Sequence, residues 1–315
     1  MTAAVEAHHL RKQYGAIVAL DDLTFTVRPG EILGVLGPNG AGKTTAIRVL
    51  TTLLAPSRGT FAVAGAPHTR PVEIRQRIGV LPESGGYPER QTGEEFLRYH
   101  ARLYGHPRGT AAAVSTRLLH EVGLHERRRS PIAAYSRGMR QRLGIARALV
   151  NEPRVVFLDE PTLGLDPAGQ RHVLELVRSI ARERGAAVLL STHLLSEVEE
   201  VGSRVLILNR GRIVVTGTVA EIARSAAAPR SARLRVPADH VEEALRALAG
   251  ARGIERVAAA GGQTGSLTVT LGADTSNGSM NDALRELTDA GVPVLSFELE
   301  GATLSDAFLA MTEAG

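Results

Sequence analysis

The run Gly37-Pro38-Asn39-Gly40-Ala41-Gly42-Lys43-Thr44-Thr45 limits what this chain can become more than any other stretch. It reads G-x-x-x-x-G-K-T, a phosphate-binding P-loop. Before it stands Glu31-Ile-Leu-Gly-Val-Leu36, an apolar run that suits a buried parallel strand. After it, Ala46-Ile-Arg-Val-Leu50 reads as the start of a helix. The glycines let the backbone turn tightly and aim successive N–H groups at phosphate oxygens. The helix N-terminus adds orphan donors and a positive dipole end. Lys43 would reach the β- and γ-phosphates, and the Thr44 hydroxyl would bind Mg²⁺. A glycine-rich turn that matches by chance is the bland alternative. Taken alone, the motif means a nucleoside triphosphate and does not separate a transport motor from a small GTPase, a kinase or a helicase.

Further along, Arg154-Val-Val-Phe-Leu-Asp159-Glu160-Pro161 is an apolar strand that ends in two adjacent carboxylates. Open α/β sheets bind ligands at the carboxyl ends of their strands. There Asp159 can hold Mg²⁺ directly or through water, and Glu160 can take a proton from a water attacking the γ-phosphate. Ala187-Val-Leu-Leu190 is a second buried strand, ending in Ser191-Thr192-His193. If the two strands run parallel, His193 shares an edge with Asp159, although a lone strand-end histidine is more often a hydrogen-bonded core or loop residue. Tyr135-Ser-Arg-Gly-Met-Arg-Gln-Arg142 runs into the helix 143–150, with Ser136 as a plausible N-cap. Its basic helix start is a second anion-seeking surface in the same chain.

The apolar runs alternate with helical patterns, which predicts an α/β architecture. Strands are expected over 5–10 and 20–27, with Tyr14 in the loop between them and His8 and His9 on opposite faces of the first. More strands are expected over 61–64 and 77–82. Residues 92–124 read as helical, opened by a capping box from Thr92 to Glu95. A hairpin is expected over 205–216. Residues 226–231 read as a linker. Beyond it the order β (232–236), α (239–249), β (254–260), β (266–272), α (279–290), β (293–299) predicts a small ferredoxin-like βαββαβ unit, followed by a helix over 303–312.

Composition narrows the partners. There is no cysteine, which excludes disulfides and thiolate metal sites. The formal net charge is +4, and 35 of the 37 basic residues are arginines that, apart from Arg127-Arg128-Arg129, are spread out. Aromatic residues make up only 3% of the chain, which leaves little for base stacking, so nucleic acid is not expected as a partner. The N-terminus lacks a signal-peptide pattern, and no run reaches the ~18–20 apolar residues that span a bilayer. A cytoplasmic protein is expected, and any membrane role needs another chain.

Taken together, residues 1–225 resemble the ATP-binding subunits of ABC transporters. The motifs come in the family's order: residues 37–45 match the Walker A, Tyr135 to Arg142 the signature motif, Val155 to Pro161 the Walker B with its catalytic glutamate, Gly164-Leu-Asp166 the D-loop, and His193 the switch histidine. Tyr14 takes the adenine-stacking place. The signature motif discriminates, since other P-loop classes lack it. Two departures stand out. Tyr135, Arg137 and Met139 replace three positions of Leu-Ser-Gly-Gly-Gln, while Ser136 and Gly138, expected to touch the γ-phosphate, are kept; and Glu83 stands where the Q-loop has glutamine. A glutamate can still coordinate Mg²⁺ or water.

Both departures look like the branch that serves bacterial exporters of drugs, antibiotics or lipids. That branch often ends in a helix similar to Leu304-Ser-Asp-Ala-Phe-Leu309. The resemblance implies an ABC-type domain over 1–225 with a helical insert at about 90–150, and an accessory domain over 232–315. It implies ATP and Mg²⁺ as cofactors, with Glu160, His193 and Lys43 catalytic and Thr44, Asp159 and Glu83 on the metal. Residues 37–45, Tyr14, Ser136, Gly138 and Asp166 would bind nucleotide. Two copies would pair head to tail, each ATP lying between the P-loop of one and Ser136 and Gly138 of the other, and a separate membrane-spanning permease would hold the pair at the inner face of the cell membrane. The alternatives are a soluble ABC ATPase not tied to transport and a self-resistance protein acting without transport.

Overall fold

Strands that are apolar throughout need cover on both faces, and four of them line up side by side here: β3 (Ile32–Leu36), β6 (Ile78–Leu81), β7 (Val155–Asp159) and β8 (Ala187–Thr192). In the computed structural model they run parallel in a six-stranded sheet of order β10-β9-β3-β8-β7-β6, where β9 (Arg204–Asn209) is parallel to β3 and β10 (Arg212–Gly217) returns antiparallel as a hairpin. The register fixes the chemistry. Leu36 pairs with Thr192, Asp159 with Ser191, and Leu81 with Leu158. The P-loop, the Asp159-Glu160 pair, the segment after Leu81 and His193 therefore emerge at one edge.

The structure describes residues 3–202, 204–225, 230–251, 253–259, 265–272 and 277–300. The expected helix over 303–312, with Leu304 to Leu309, and positions 226–229 of the expected linker lie outside them. Two compact units divide the chain, Met1–Val219 and Ala220–Gly315.

In the first unit a second sheet of order β2-β1-β4-β5 is antiparallel throughout: β1 (Val5–Tyr14), β2 (Ile17–Val27), β4 (Arg58–Val63) and β5 (Ala66–Pro67). Two expectations are corrected here. Tyr14 is the last residue of β1 and pairs with Ile17, so the turn is shorter than the loop that was expected. His8 and His9 do not alternate: the register shifts between Ala7 and Leu10, His9 takes a φ of 50°, and both histidines are exposed. The extra residue of a bulge cancels the two-residue period.

One core cluster fills the space around α1 (Lys43–Leu50) and both sheets, with Leu10, Leu23, Leu50 and Phe157 among its buried members. The other joins the parallel sheet to α3 (Gly93–Leu103), α4 (Arg108–Glu121), α5 (Arg137–Ala148) and α6 (Pro167–Arg184) through Leu97, Leu118, Leu143 and Val177. The expected helical stretch 92–124 is thus two helices, broken at Tyr104-Gly105-His106-Pro107. Gly105 takes a φ of 88°, and Pro107 cannot continue a helix from behind. The Thr92–Glu95 capping box is formed in both directions, at 3.2 and 2.9 Å. Two short helices, α2 (Pro71–Arg77) and α7 (Leu195–Val201), were not foreseen. A third, α8 (Val219–Ser225), follows β10. Among the described residues no helix is long and apolar enough to cross a membrane.

The second unit has β11 (Arg230–Arg235), α9 (Val241–Leu248), β12 (Ile254–Ala259), β13 (Ser266–Leu271), α10 (Asn277–Asp289) and β14 (Ser296–Glu300). Its sheet order is β12-β13-β11-β14, antiparallel throughout, over its own apolar core of Leu234, Leu248, Val269 and Leu287. The pairing of Arg230 with Leu271 starts β11 two residues before the alternation suggests.

Candidate functional site

The P-loop leaves β3 and turns through Gly40 and Gly42 before α1 begins at Lys43. Gly42 has a φ of 107°, and a Cβ there would stand 2.7 Å from the Ala19 carbonyl oxygen, so only glycine fits. No side chain caps α1, which leaves its first N–H groups for an anion. The hairpin turn between β9 and β10 braces the loop: the Gly211 N–H donates to the Ala41 carbonyl at 2.9 Å.

A cavity of about 380 Å³ opens over this loop, lined by residues 38–45 together with Glu83, Glu160, Leu163 and His193. Lys43 is only 7% exposed. Its ammonium donates to the Gly37 carbonyl at 2.8 Å and to the Pro38 carbonyl at 3.4 Å, and stands 3.5 Å from Glu160 Oε1. The other Glu160 oxygen is 2.8 Å from His193 Nδ1. The three sequence-predicted catalytic residues therefore form one chain, Lys43–Glu160–His193, on the cavity wall. Glu160 adopts a φ of 48°, a left-handed conformation uncommon outside glycine. Its N–H donates to the Ser191 carbonyl at 3.1 Å and to the Ser191 hydroxyl at 3.2 Å, which holds the backbone in that conformation.

Asp159 stands one layer behind the wall, 3% exposed. Its Oδ1 accepts from the Thr44 hydroxyl at 3.3 Å and from the Ser191 hydroxyl. Glu83, at the Q-loop position, is exposed and lines the cavity. Among the described residues no group of three or more His, Asp or Glu gathers to hold an ion. Mg²⁺ in phosphate sites takes one or two protein oxygens and completes its shell with phosphates and water, so the Thr44 hydroxyl, backed by Asp159 and faced by Glu83, has the donors it needs. Tyr14 does not line the cavity; it is 44% exposed, with the Lys12 ammonium 5.0 Å from its ring centre.

The signature residues border a different cavity, of about 410 Å³, lined by Ser136, Arg137, Gly138, Arg142, His172 and the D-loop from Gly164 to Asp166. Two helices start there. The Ser136 hydroxyl caps α5 by accepting from Met139 N at 3.2 Å, and Asp166 caps α6 by accepting from Gly169 N at 3.3 Å. The Asp166 carboxylate is therefore engaged in the fold as well as facing this cavity. The signature's departures have packing reasons. Tyr135 is buried, and its hydroxyl donates to the Arg127 carbonyl at 2.9 Å. Met139 packs on the core, and Arg137 lies against Gly164. Burial lowers the pKa of His172, with Arg142 adding to it, so the imidazole beside that arginine is neutral at pH 7.

One residue that the sequence reading missed is Glu197, buried at the start of α7. It accepts from the Thr162 hydroxyl and, at 2.7 Å, from the Thr192 hydroxyl. Those threonines flank Glu160 and His193, so Glu197 braces the strand-end loops from behind. An acidic residue in a short helix after His193 was the available signal.

A family model described as "ABC transporter" matches residues 20–163. The daunorubicin/doxorubicin resistance ATP-binding protein DrrA of Streptomyces peucetius is 36% identical over 313 residues, covering 99% of this chain and 93% of that protein. The bacitracin transport ATP-binding protein BcrA of Enterococcus faecalis is 34% identical over 70% of this chain and 71% of its own length. A solved ATP-binding subunit of an ABC transporter superposes with a TM-score of 0.64 and 36% identity, over 71% of this chain and 92% of that one. With a P-loop cavity flanked by strand-end carboxylates, and a relative aligned along nearly all its length, the chain belongs to the ABC transporter family as an ATP-binding, ATP-hydrolysing protein.

Proposed function

We propose that this chain powers an exporter of drugs, antibiotics or lipids, working as a pair at the inner face of the cell membrane on a separate membrane-spanning permease. The relatives named for daunorubicin/doxorubicin resistance and for bacitracin transport support export. The observation that carries the pairing is the separation of the two cavities: the P-loop cavity and the signature cavity share no lining residue. A single chain thus offers both halves of a site without joining them. Head-to-tail pairing lets each P-loop meet the Ser136–Gly138 segment of the twin.

In this reading the nucleotide is bound by residues 37–45, with Tyr14 against the base and Asp166, Ser136 and Gly138 brought by the twin. Mg²⁺ would be held by Thr44, with Asp159 behind it and Glu83 opposite, and supplies positive charge to the phosphates. Lys43 exchanges its Glu160 and carbonyl partners for phosphate oxygens. That exchange leaves Glu160 free to accept a proton from water, which His193 orients. Little covalent work falls to the protein; positioning and charge stabilisation do most of it. The domain limits follow the family, with the ATP-binding domain over 1–225, its helical insert at about 90–150, and residues 232–315 steadying the pair or the complex.

The test is purification of the chain from native membranes under mild detergent, followed by export assays in cells that carry it. A membrane-spanning subunit should co-purify, and Glu160→Gln should abolish efflux while leaving that association intact. Recovery of the chain with no membrane protein, and efflux indifferent to Glu160→Gln, would overturn the proposal.

A further inference from the structure

The segment after β6 reaches one cavity and is fastened to the helix that borders the other. Glu83 lines the P-loop cavity. Four residues later the half-buried Tyr87 donates its hydroxyl to the Arg140 carbonyl of α5 at 2.9 Å, with its ring 5.6 Å from that of Phe96. Arg140 lies one turn past Ser136, and the segment from Ser136 to Gly138 lines the second cavity. Burial raises the pKa of Tyr87, so the hydroxyl keeps its proton and remains a donor. Gly144 admits the contact: a Cβ there would stand 2.5 Å from the Tyr87 hydroxyl oxygen and 2.5 Å from Leu81 Cδ1. The hydroxyl thus adds a hydrogen bond to α5 beyond the packing of its ring on Phe96.

We propose that Tyr87 is a positioning residue that links the two half-sites of one chain, so that nucleotide held against Glu83 sets the signature segment which that chain lends to its twin. The inference rests on the shared-site reading above. The Arg140 N–H closes the first turn of α5 on the Ser136 carbonyl at 2.9 Å, so a loop pinned at the Arg140 carbonyl bears on the turn that carries Ser136 and Gly138. From Glu83 the connection runs along the backbone of Ser84-Gly85-Gly86 to Tyr87, and from the Tyr87 hydroxyl to the Arg140 carbonyl in the first turns of α5.

Tyr87→Phe keeps the ring and removes the tie. In a Glu160→Gln background, ATP-driven pairing is measured by analytical ultracentrifugation, and nucleotide affinity of the dilute lone chain by fluorescence of an ATP analogue. Loss of one hydrogen bond should weaken ATP-driven pairing about three- to tenfold, with the lone chain's nucleotide affinity unchanged. Gly144→Ala, which displaces the hydroxyl from the other side, should act alike, and the double variant should be no worse than the weaker single one. A tyrosine that only packs would lower the melting temperature and leave the pairing constant alone. Pairing of Tyr87→Phe at the parent's ATP and protein concentrations would overturn the inference. If the parent itself fails to pair with ATP, the shared-site reading falls and this inference with it.

Discussion

Glu160 sits between a cation and an imidazole, 3.5 Å from Lys43 Nζ and 2.8 Å from His193 Nδ1, on a backbone whose N–H is held by Ser191 and whose carbonyl accepts from the Leu163 N–H. A carboxylate so placed can take a proton from water once Lys43 turns to phosphate. Its amide isostere keeps the shape and loses the basicity, so Glu160→Gln should slow turnover by roughly 10²–10⁴-fold. Single-turnover hydrolysis measures this, and ATP binding should persist; turnover at the native rate would remove Glu160 from its role. Glu197 acts more remotely. Glu197→Ala leaves the hydroxyls of Thr162 and Thr192 without their buried acceptor. Denaturant unfolding should show a loss of about 1–3 kcal/mol.

At the scale of elements, the strands that carry chemistry were legible because they are buried on both faces and read as unbroken apolar runs. The end of β7 at Asp159, the end of β8 near His193 and the Ser136 cap of α5 all stand where the residues point. What the sequence hid has physical causes. The β1 bulge puts both His8 and His9 in solvent, a register event that no alternation reveals. The helices α2 and α7 are seven residues each, too short for a 3.6-residue period to declare itself. The split between the two cavities is tertiary and has no local signal. The insert also carries a pH response. His100, against Phe96 and Tyr99 on α3, has its pKa lowered to about 4, by burial first and by Arg147 second. The unfolded imidazole titrates near 6.5, so the folded state binds fewer protons between these values. The stability this group contributes is full above pH 6.5 and is lost as pH falls toward 4. His100→Phe should flatten that part of the melting-temperature profile between pH 4 and 6.5, and an unchanged slope there would deny the histidine this role.

For the whole molecule, the two units have separate cores, and the clusters of the first end before the second begins. If residues 232–315 steady the pair or the complex, a chain lacking 231–315 should bind ATP like its parent and pair or export less well; equality in ATPase rate, pairing and export would dismiss that role. The central claim is that the P-loop of one copy and the signature of its twin make one site. Mixing two inactive variants tests it most directly. Glu160→Gln disables the hydrolytic half, and Gly138→Asp disables the lent half. In a co-expressed mixture, half the pairs are mixed, and each mixed pair holds one site built only from intact halves. Steady-state ATPase should therefore return to about one quarter of the native rate if sites act independently. A mixture no more active than either variant alone would contradict the shared site.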